Sequence, residues 1–191
     1  MIDINLQKKN QRVLSAQNRL QLHYKINKKN LLFYKILNSY HWFEESAVIA
    51  SFVSIKSEIS TISLNKFILN SGKVLCLPVV SDDNDGKLIF KQFKKDDHLV
   101  AGKFGVLEPI NTSNLKPDII FIPCLAYDKY GYRLGYGGGF YDKTISHFHS
   151  IKHTFLKVGL AYDDQRVDKV IHNHLDQKLN YILTEKHLYE I

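Results

Sequence analysis

The segment that decides the fold is GYRLGYGGGFYDK, residues 131–143, which contains five of the ten glycines in the chain. It follows an apolar run, DIIFIPCLAYD (118–128), and precedes a stretch at about 140–149 that predicts a helix. Glycine lets a backbone adopt positive φ and approach a ligand closely. A strand, a glycine loop and a helix in this order direct several N–H groups into one space, where phosphate usually binds.

The charged residues around this loop suit a ligand that contains phosphate, and they leave the type of ligand open. Arg133 and Lys143 add positive charge, and Asp142 offers an oxygen of the kind that Mg²⁺ prefers near nucleotide phosphates. The segment is not a Walker A loop, because no Gly-Lys-Ser/Thr follows the glycines. It is not a dinucleotide fingerprint either, because its glycine spacing is G-x-G-G-G. The alternative is a structural turn in which Asp142 only stabilises the first turn of a helix.

The rest of the chain alternates between helical and strand-like segments. Residues 5–41 lack Gly and Pro, carry apolar residues at nearly helical spacing, and predict one or two helices with a possible break at 27–30. A further helix is predicted at 60–72, a turn at 82–86, and strands at 47–55, 73–80, 87–93, 117–128, 155–162 and 178–185. This order predicts one α/β domain over residues 1–191 with a mostly parallel sheet, whose ligands bind at the carboxyl ends of the strands.

The net charge of +7 comes from the N-terminal segment. Residues 1–40 contain eight of the 26 basic residues and one of the 19 acidic residues, while the remainder is balanced. Such a segment can bind nucleic acid, a membrane surface or a nucleotide, or it can simply be a solvated helix face. No base-reading or RNA-binding motif accompanies it, which argues against a nucleic-acid-binding module.

Cysteine usage and hydropathy predict a cytoplasmic location. Cys76 and Cys124 both lie in apolar runs, where cysteine usually behaves as a small buried hydrophobe, and they form no CxxC motif. No stretch is long and apolar enough to predict a signal peptide or a transmembrane helix. The histidine pairs at 147/149 and 172/174 have no cysteine nearby and do not indicate a transition-metal site.

Several segments together resemble a known family. PCLAYDKYGYRLGYGGGFYDK (123–143) is similar to the signature of the 5-formyltetrahydrofolate cyclo-ligases, also called 5,10-methenyltetrahydrofolate synthetases. The resemblance extends in order through FVSIKSEIST (52–61), SGKVLCLPVV (71–80), VLEP (106–109), VGLAYDDQRV (158–167) and LDQKLNYILTE (175–185). Phe140 and Lys143 replace a frequent Tyr and Arg, Asn180 replaces a frequent Asp, and Tyr136 occupies a variable position.

The resemblance implies a fold and an activity. The fold would be a three-layer α/β/α arrangement like that of the ribose-phosphate isomerase and CoA-transferase group. The activity would be the Mg²⁺- and ATP-dependent conversion of 5-formyltetrahydrofolate to 5,10-methenyltetrahydrofolate, a ligase reaction of one-carbon metabolism that releases ADP and phosphate. The expected partners are the folate and ATP, without nucleic acid or membrane, and the protein is expected to be a monomer. A relative that binds folate without catalysis is the alternative, which the intact loop disfavours.

The resemblance also implies site residues. Val53, Glu58 and Tyr141 match substrate-binding positions, Asp142 and Asp176 match metal ligands, and Arg133 and Tyr141 match catalytic positions. The implied ATP-binding set is Lys8, Arg12, Arg133, Leu134, Gly135, Tyr136, Gly137, Gly138, Gly139, Phe140 and Tyr141. Lys8 and Arg12 are four residues apart, so they share one face of a predicted helix.

Overall fold

The computed structural model describes residues 3–26, 33–81, 83, 85–110 and 113–191. Its helices are α1 (Ile4–Ile26), α2 (Phe33–Leu37), α3 (His41–Glu45), α4 (Ile62–Asn70) and α5 (Phe140–Ser150). Its strands are β1 (Val48–Ala50), β2 (Val74–Val80), β3 (Leu88–Gln92), β4 (Leu99–Ala101), β5 (Leu107–Pro109), β6 (Asn114–Leu115), β7 (Ile119–Pro123), β8 (Ala126–Tyr127), β9 (Arg133–Leu134), β10 (Leu156–Leu160), β11 (Tyr181–Leu183) and β12 (Leu188–Glu190).

The main sheet is mostly parallel, as predicted. Within the described residues it has eight strands in the order β12-β11-β10-β7-β1-β2-β3-β6. The run from β11 to β2 is parallel throughout. β12 adds antiparallel to one side, and β3 and β6 add antiparallel to the other. The strands β4 and β5 pair separately, as do β8 and β9.

Helices cover both faces of this sheet. Successive side chains of a strand point to opposite faces, and the buried β7 shows the consequence. Ile119 and Phe121 join a core with residues of α1 to α4, whereas Ile120 and Ile122 join a second core with residues of α5. This arrangement is a three-layer α/β/α fold, which confirms the predicted fold class.

The predicted strand at 47–55 is wrong in length, because β1 ends at Ala50. After Ala50, side chains form hydrogen bonds with backbone groups that would pair with a neighbouring strand in a sheet. Thr61 Oγ1 and Asn65 Nδ2 donate to the Phe52 carbonyl at 2.7 and 3.1 Å, and the Thr61 N–H donates to Ser54 Oγ at 2.8 Å. Because side chains satisfy these backbone groups, residues 51–61 form an ordered loop instead of an extended strand.

The predicted strand at 117–128 is also divided. β7 ends at Pro123, and β8 pairs with β9 in a separate two-stranded sheet. The Gln165 side chain donates to the carbonyls of Cys124 and Leu125 at 2.8 and 2.9 Å. These two carbonyls therefore accept from a side chain instead of from a neighbouring strand of the main sheet.

The other predicted helices and strands begin and end near their predicted positions, although β11 is shorter than the predicted strand at 178–185, which is not the last strand of the chain. The structure adds elements that were not predicted, among them α3, β4, β5, β6 and β12. The proposed helix break at 27–30 lies outside the described residues, as do residues 82 and 84 of the predicted turn. Cys76 and Cys124 are buried free thiols, as predicted, and burial raises the pKa of each to about 12. Among the described helices, none combines the length and the apolar character needed to cross a membrane.

Candidate functional site

Two cavities lie beyond the carboxyl ends of the parallel strands among the described residues. The first, of about 690 Å³, is lined by the glycine loop that follows β7 and β9. The second, of about 610 Å³, is lined by the loop at 51–61 that follows β1. Since β1 and β7 are parallel neighbours, both loops emerge at the same edge of the sheet.

The glycine loop gives the first cavity its shape. Gly137 has a φ of 105°, and Gly139, with a φ of 68°, is the residue that precedes α5. Both angles lie in the region that side chains with a Cβ rarely adopt. The loop therefore leads directly into the N-terminus of α5, whose positive dipole end favours an anion in the cavity.

Cations from two parts of the chain surround the loop. Arg12, on α1, donates from Nε to the Gly135 carbonyl at 3.0 Å. Lys8, one turn earlier on the same helix, is buried and pairs with Asp176. Arg133, at the start of the loop, is also buried and pairs with Asp142 at 3.0 Å. Lys143 lines the same cavity.

The structure brings the two predicted metal ligands into this cavity. Oδ1 of Asp142 accepts from Arg133 Nη1 and from the Gln177 N–H, each at 3.0 Å. Oδ2 of Asp176 accepts from Lys8 Nζ and, at 2.6 Å, from the Asn173 N–H. Within the described part of the chain, neither aspartate receives a hydrogen bond on its other carboxylate oxygen. One oxygen of each side chain therefore remains to bind a cation.

This donor set fits Mg²⁺. Mg²⁺ takes oxygen ligands and is often bound by one or two carboxylates together with substrate phosphates and waters. The described residues contain no cluster of three or more His, Cys, Asp or Glu side chains that could bind a metal ion. A magnesium ion here would thus depend on phosphate or water oxygens to complete its coordination.

Most of the predicted nucleotide-binding residues line the first cavity. The exception is Leu134, whose buried side chain packs with Leu125, Ala126 and Val170 in a small core cluster. The predicted residues found in the cavity lining are Lys8, Arg12, Arg133, Gly135, Tyr136, Gly137, Gly138, Gly139, Phe140, Tyr141, Asp142 and Asp176.

Val53 and Glu58, the predicted folate contacts, line the second cavity. Glu58 is only 5% exposed. Its Oε2 accepts from the Ile55 N–H at 2.8 Å, and its Oε1 accepts from the Tyr136 hydroxyl at 2.9 Å. Burial raises the pKa of Glu58, although these hydrogen bonds and the nearby Arg19 and Lys56 oppose the rise.

The walls of the second cavity are largely apolar, and its charged lining residues other than Glu58 are basic. Leu69, Leu77, Phe93 and Leu99 contribute apolar surface. Three exposed lysines also line the cavity: Lys56, Lys66 and Lys95. The cavity therefore combines one buried carboxylate with exposed positive charge.

Sequence reasoning missed one residue between the cavities. Arg19, on α1, is 2% exposed and lies 3.9 Å from Glu58 Oε1. Its signal in the sequence is its position seven residues after Arg12, which places both on one helical face. Tyr141 lines the first cavity only, whereas Tyr136 lines the first cavity and hydrogen-bonds to Glu58 of the second.

Comparisons with known proteins show the family of the chain. The model of the 5-formyltetrahydrofolate cyclo-ligase family matches residues 5–185. The chain belongs to this family. A cyclo-ligase of this name from Haemophilus influenzae is 38% identical over 140 residues, covering 71% of this chain and 74% of the relative. One from Escherichia coli K12 is 32% identical over 147 residues, covering 74% and 80%.

Solved structures lead to the same cyclo-ligase family. The chain superposes on the 5,10-methenyltetrahydrofolate synthetase of Aquifex aeolicus with a TM-score of 0.70 and 26% identity, covering 94% of this chain and 92% of that one. The synthetase of Mycoplasma pneumoniae superposes with a TM-score of 0.69 at 20% identity, which bears on the fold alone. The predicted family, fold and enzyme class are therefore confirmed.

Proposed function

We propose that this protein converts 5-formyltetrahydrofolate to 5,10-methenyltetrahydrofolate, using Mg²⁺ and ATP and releasing ADP and phosphate. One observation carries the proposal beyond family membership: a 2.9 Å hydrogen bond from Tyr136 to Glu58 joins the glycine-loop cavity to the cavity with the buried carboxylate. Two cavities this close allow two co-substrates to meet, one in each.

The first cavity suits the triphosphate of ATP. The backbone of the glycine loop and the N-terminus of α5 offer N–H donors, and Arg12, Arg133 and Lys143 lie beside them. Asp142 and Asp176 each keep one oxygen for Mg²⁺. When bound, Mg²⁺ would neutralise phosphate charge and hold the phosphates in place.

The second cavity suits a folate. A carboxylate has about four lone-pair sites, and Glu58 uses one on each oxygen for Ile55 and Tyr136. The remaining sites can accept the adjacent N–H donors of an aminopyrimidine ring. The apolar walls suit the flat ring system, and the exposed lysines complement the carboxylates of the glutamate tail.

The reaction requires activation of a poor electrophile. The formyl oxygen forms a bond to the γ-phosphorus, the bond from that phosphorus to the β,γ-bridging oxygen breaks, and ADP leaves. The product is an iminium phosphate at N5. N10 then attacks the formyl carbon, the carbon–oxygen bond breaks, phosphate leaves, and N10 releases its proton. The ring is closed without any net oxidation or reduction.

The roles of this chain in the reaction are positioning and charge neutralisation. Arg133 would stabilise the negative charge on the transferred phosphoryl group, since its guanidinium is buried at the start of the loop. Lys8 and Arg12 would orient the polyphosphate from α1. Tyr141, whose ring centroid lies 5.9 Å from the Arg133 guanidinium carbon, would pack against the substrates at the reacting end.

The test is a direct assay for the methenyl product by its absorbance. Purified protein with 5-formyltetrahydrofolate and Mg-ATP is expected to form the product, and omission of ATP or chelation of Mg²⁺ is expected to abolish its formation. Asp142→Asn is expected to raise the Mg²⁺ concentration needed for half-maximal activity. A folded protein that forms no product with all three components would refute the proposal.

A further inference from the structure

The face of α1 that lines the first cavity also carries a buried arginine, Arg19, which lies outside that cavity's lining. Lys8, Arg12 and Arg19 lie on one helical face, at spacings of four and seven residues. Arg19 donates from Nε to Ser57 Oγ at 3.1 Å and from Nη2 to the Tyr136 hydroxyl. It also lies beside Glu58 Oε1, at 3.9 Å. A buried guanidinium is costly without such partners, so these contacts fix its position.

Different parts of Tyr136 contact the two cavities. Its residue surface is 45% exposed and contributes to the first cavity, while its hydroxyl lies inside, between Arg19 and Glu58. The guanidinium carbon of Arg19 lies 5.1 Å from the centroid of the ring. Burial raises the pKa of this hydroxyl to about 12, so it remains a neutral donor to Glu58. A residue of the phosphate loop thus controls one hydrogen bond of the carboxylate in the neighbouring cavity.

We propose that Arg19 and Tyr136 are positioning residues that couple the two cavities, so that binding of nucleotide tightens binding of folate. The inference rests on the proposed function. Nucleotide phosphates would contact the loop that carries Tyr136, and the Tyr136 hydroxyl, together with Arg19, holds the Glu58 carboxylate in the orientation that receives the folate. Linkage makes the effect reciprocal: folate tightens nucleotide binding by the same factor.

The coupling can be measured as a ratio of dissociation constants. 5-Formyltetrahydrofolate is titrated into the protein with and without a non-hydrolysable ATP analogue and Mg²⁺. The expected ratio for the unchanged protein is about five- to 150-fold, the usual range for coupled sites. In Tyr136→Phe, which keeps the ring and removes the hydroxyl, the ratio is expected to fall towards one. Affinity for the analogue alone is measured in the same variant, because Tyr136 belongs to the loop that lines the nucleotide cavity. The ratio compares folate binding without analogue and with saturating analogue, so it does not depend on that affinity.

A matched control separates this effect from a general effect of removing a tyrosine hydroxyl. Tyr130 lies six residues before Tyr136, is 49% exposed and lines neither cavity. Tyr130→Phe is expected to keep the full ratio. Arg19→Lys keeps the charge but loses the planar fork, and it is expected to lose the coupling as Tyr136→Phe does.

The outcomes distinguish this inference from the proposed function. If the unchanged protein forms the methenyl product but shows a ratio of one, or if Tyr136→Phe retains the full ratio, the coupling is wrong and the activity stands. If the unchanged protein forms no product and binds neither ligand, the proposed function and the coupling both fail. Should Arg19→Lys fail to fold, as judged by circular dichroism, the conservative Tyr136→Phe decides alone.

Discussion

The two cavities have similar volumes but are built from different kinds of surface. The first is lined by glycine backbone, cations and two aspartates, and it lies at a helix N-terminus. The second is lined by apolar side chains and one buried carboxylate, with lysines exposed around it. Under the proposed function, backbone geometry and charge would make the first cavity suit an anion, while burial and a few polar contacts would make the second suit a ring system.

The two loops that line the cavities also obtain their rigidity differently. The glycine loop is held at its ends, by β9 before it and α5 after it, and Arg12 also donates to the carbonyl of its first residue, Gly135. The 51–61 loop is held by its own side chains, including Ser54, whose hydroxyl lies 2.9 Å from that of Thr61. Changes in the two loops should therefore affect different ligands, which the following variants can test.

The largest effect is expected at Arg133. Arg133→Ala removes the buried positive charge beside the transferred phosphoryl group, so kcat should fall by about 100- to 1000-fold. Folate affinity should change little. Product absorbance under saturating substrates measures the effect, and Arg166→Ala is the control, because Arg166 is exposed and packs over Tyr189. A folded Arg133→Ala variant with normal turnover would remove this residue from the mechanism.

A substitution at Glu58 tests whether the second cavity binds the folate. Glu58→Gln keeps the shape but presents a donor to the donors of the pterin, at a cost of about 1.5–3 kcal/mol. The dissociation constant for 5-formyltetrahydrofolate should rise about ten- to 150-fold, while that for ATP without folate should hardly change. Paired calorimetric titrations measure both, with the exposed Glu45→Gln as control. Loss of ATP affinity alone would mean that the two ligands are assigned to the wrong cavities.

The glycine loop allows a comparison within one segment. Gly137→Ala forces a Cβ onto a φ of 105° and brings it to 3.2 Å from the Arg12 guanidinium carbon. Strain of this kind costs about 1–3 kcal/mol, so ATP affinity should fall about five- to 150-fold. At Gly135 a Cβ would meet nothing within 4 Å, and φ is ordinary, so Gly135→Ala should have the weaker effect. If ATP titrations showed a larger loss of affinity for Gly135→Ala than for Gly137→Ala, the role of backbone geometry would be contradicted.

The raised pKa of Glu58 predicts a pH dependence confined to the folate. Burial raises this pKa above the ordinary value of 4.5, so protonation on acidification begins at a higher pH than for an exposed carboxyl. Since the protonated form loses acceptor capacity, folate affinity should weaken as the pH falls from 7 towards 5. Glu58→Gln has no titratable group at this position, so the part of the pH dependence that comes from Glu58 should be absent from that variant. Folate titrations at several pH values measure this. The same pH dependence of folate affinity in the unchanged protein and in Glu58→Gln would contradict the prediction.

The smallest effect is expected at the exposed lysines of the second cavity. Lys66→Ala removes one charge near the expected position of the glutamate tail, and exposed charge pairs contribute about 0–1 kcal/mol. Folate affinity should fall by no more than about fivefold, and the difference should shrink in high salt because solvent ions screen exposed charges. Lys9→Ala is the control, since Lys9 is exposed and lines neither cavity. A large loss that salt does not reduce would indicate a buried contact instead.

Local features of the site could be predicted from the sequence. The glycine loop and α5 depend on residues that are adjacent in the chain, so their composition and order were sufficient. The length of β1 could not be predicted in this way. Residues 51–55 include Phe52, Val53 and Ile55, which suit a strand. Side-chain bonds to the Phe52 carbonyl from Thr61 and Asn65, nine and thirteen residues further along, decide their conformation instead.

The alternation of elements, the glycine loop and the family could be predicted from the sequence, because each depends on short segments of adjacent residues. Only the folded chain shows which face of α1 is buried. Its apolar residues Leu6, Val13 and Leu20 are exposed, while Lys8 and Arg19 are buried. The physical reason is that α1 lies against carboxylates and loop carbonyls, which need donors. Those partners lie far away in the chain, as Asp176 does from Lys8, so helical periodicity alone cannot reveal them.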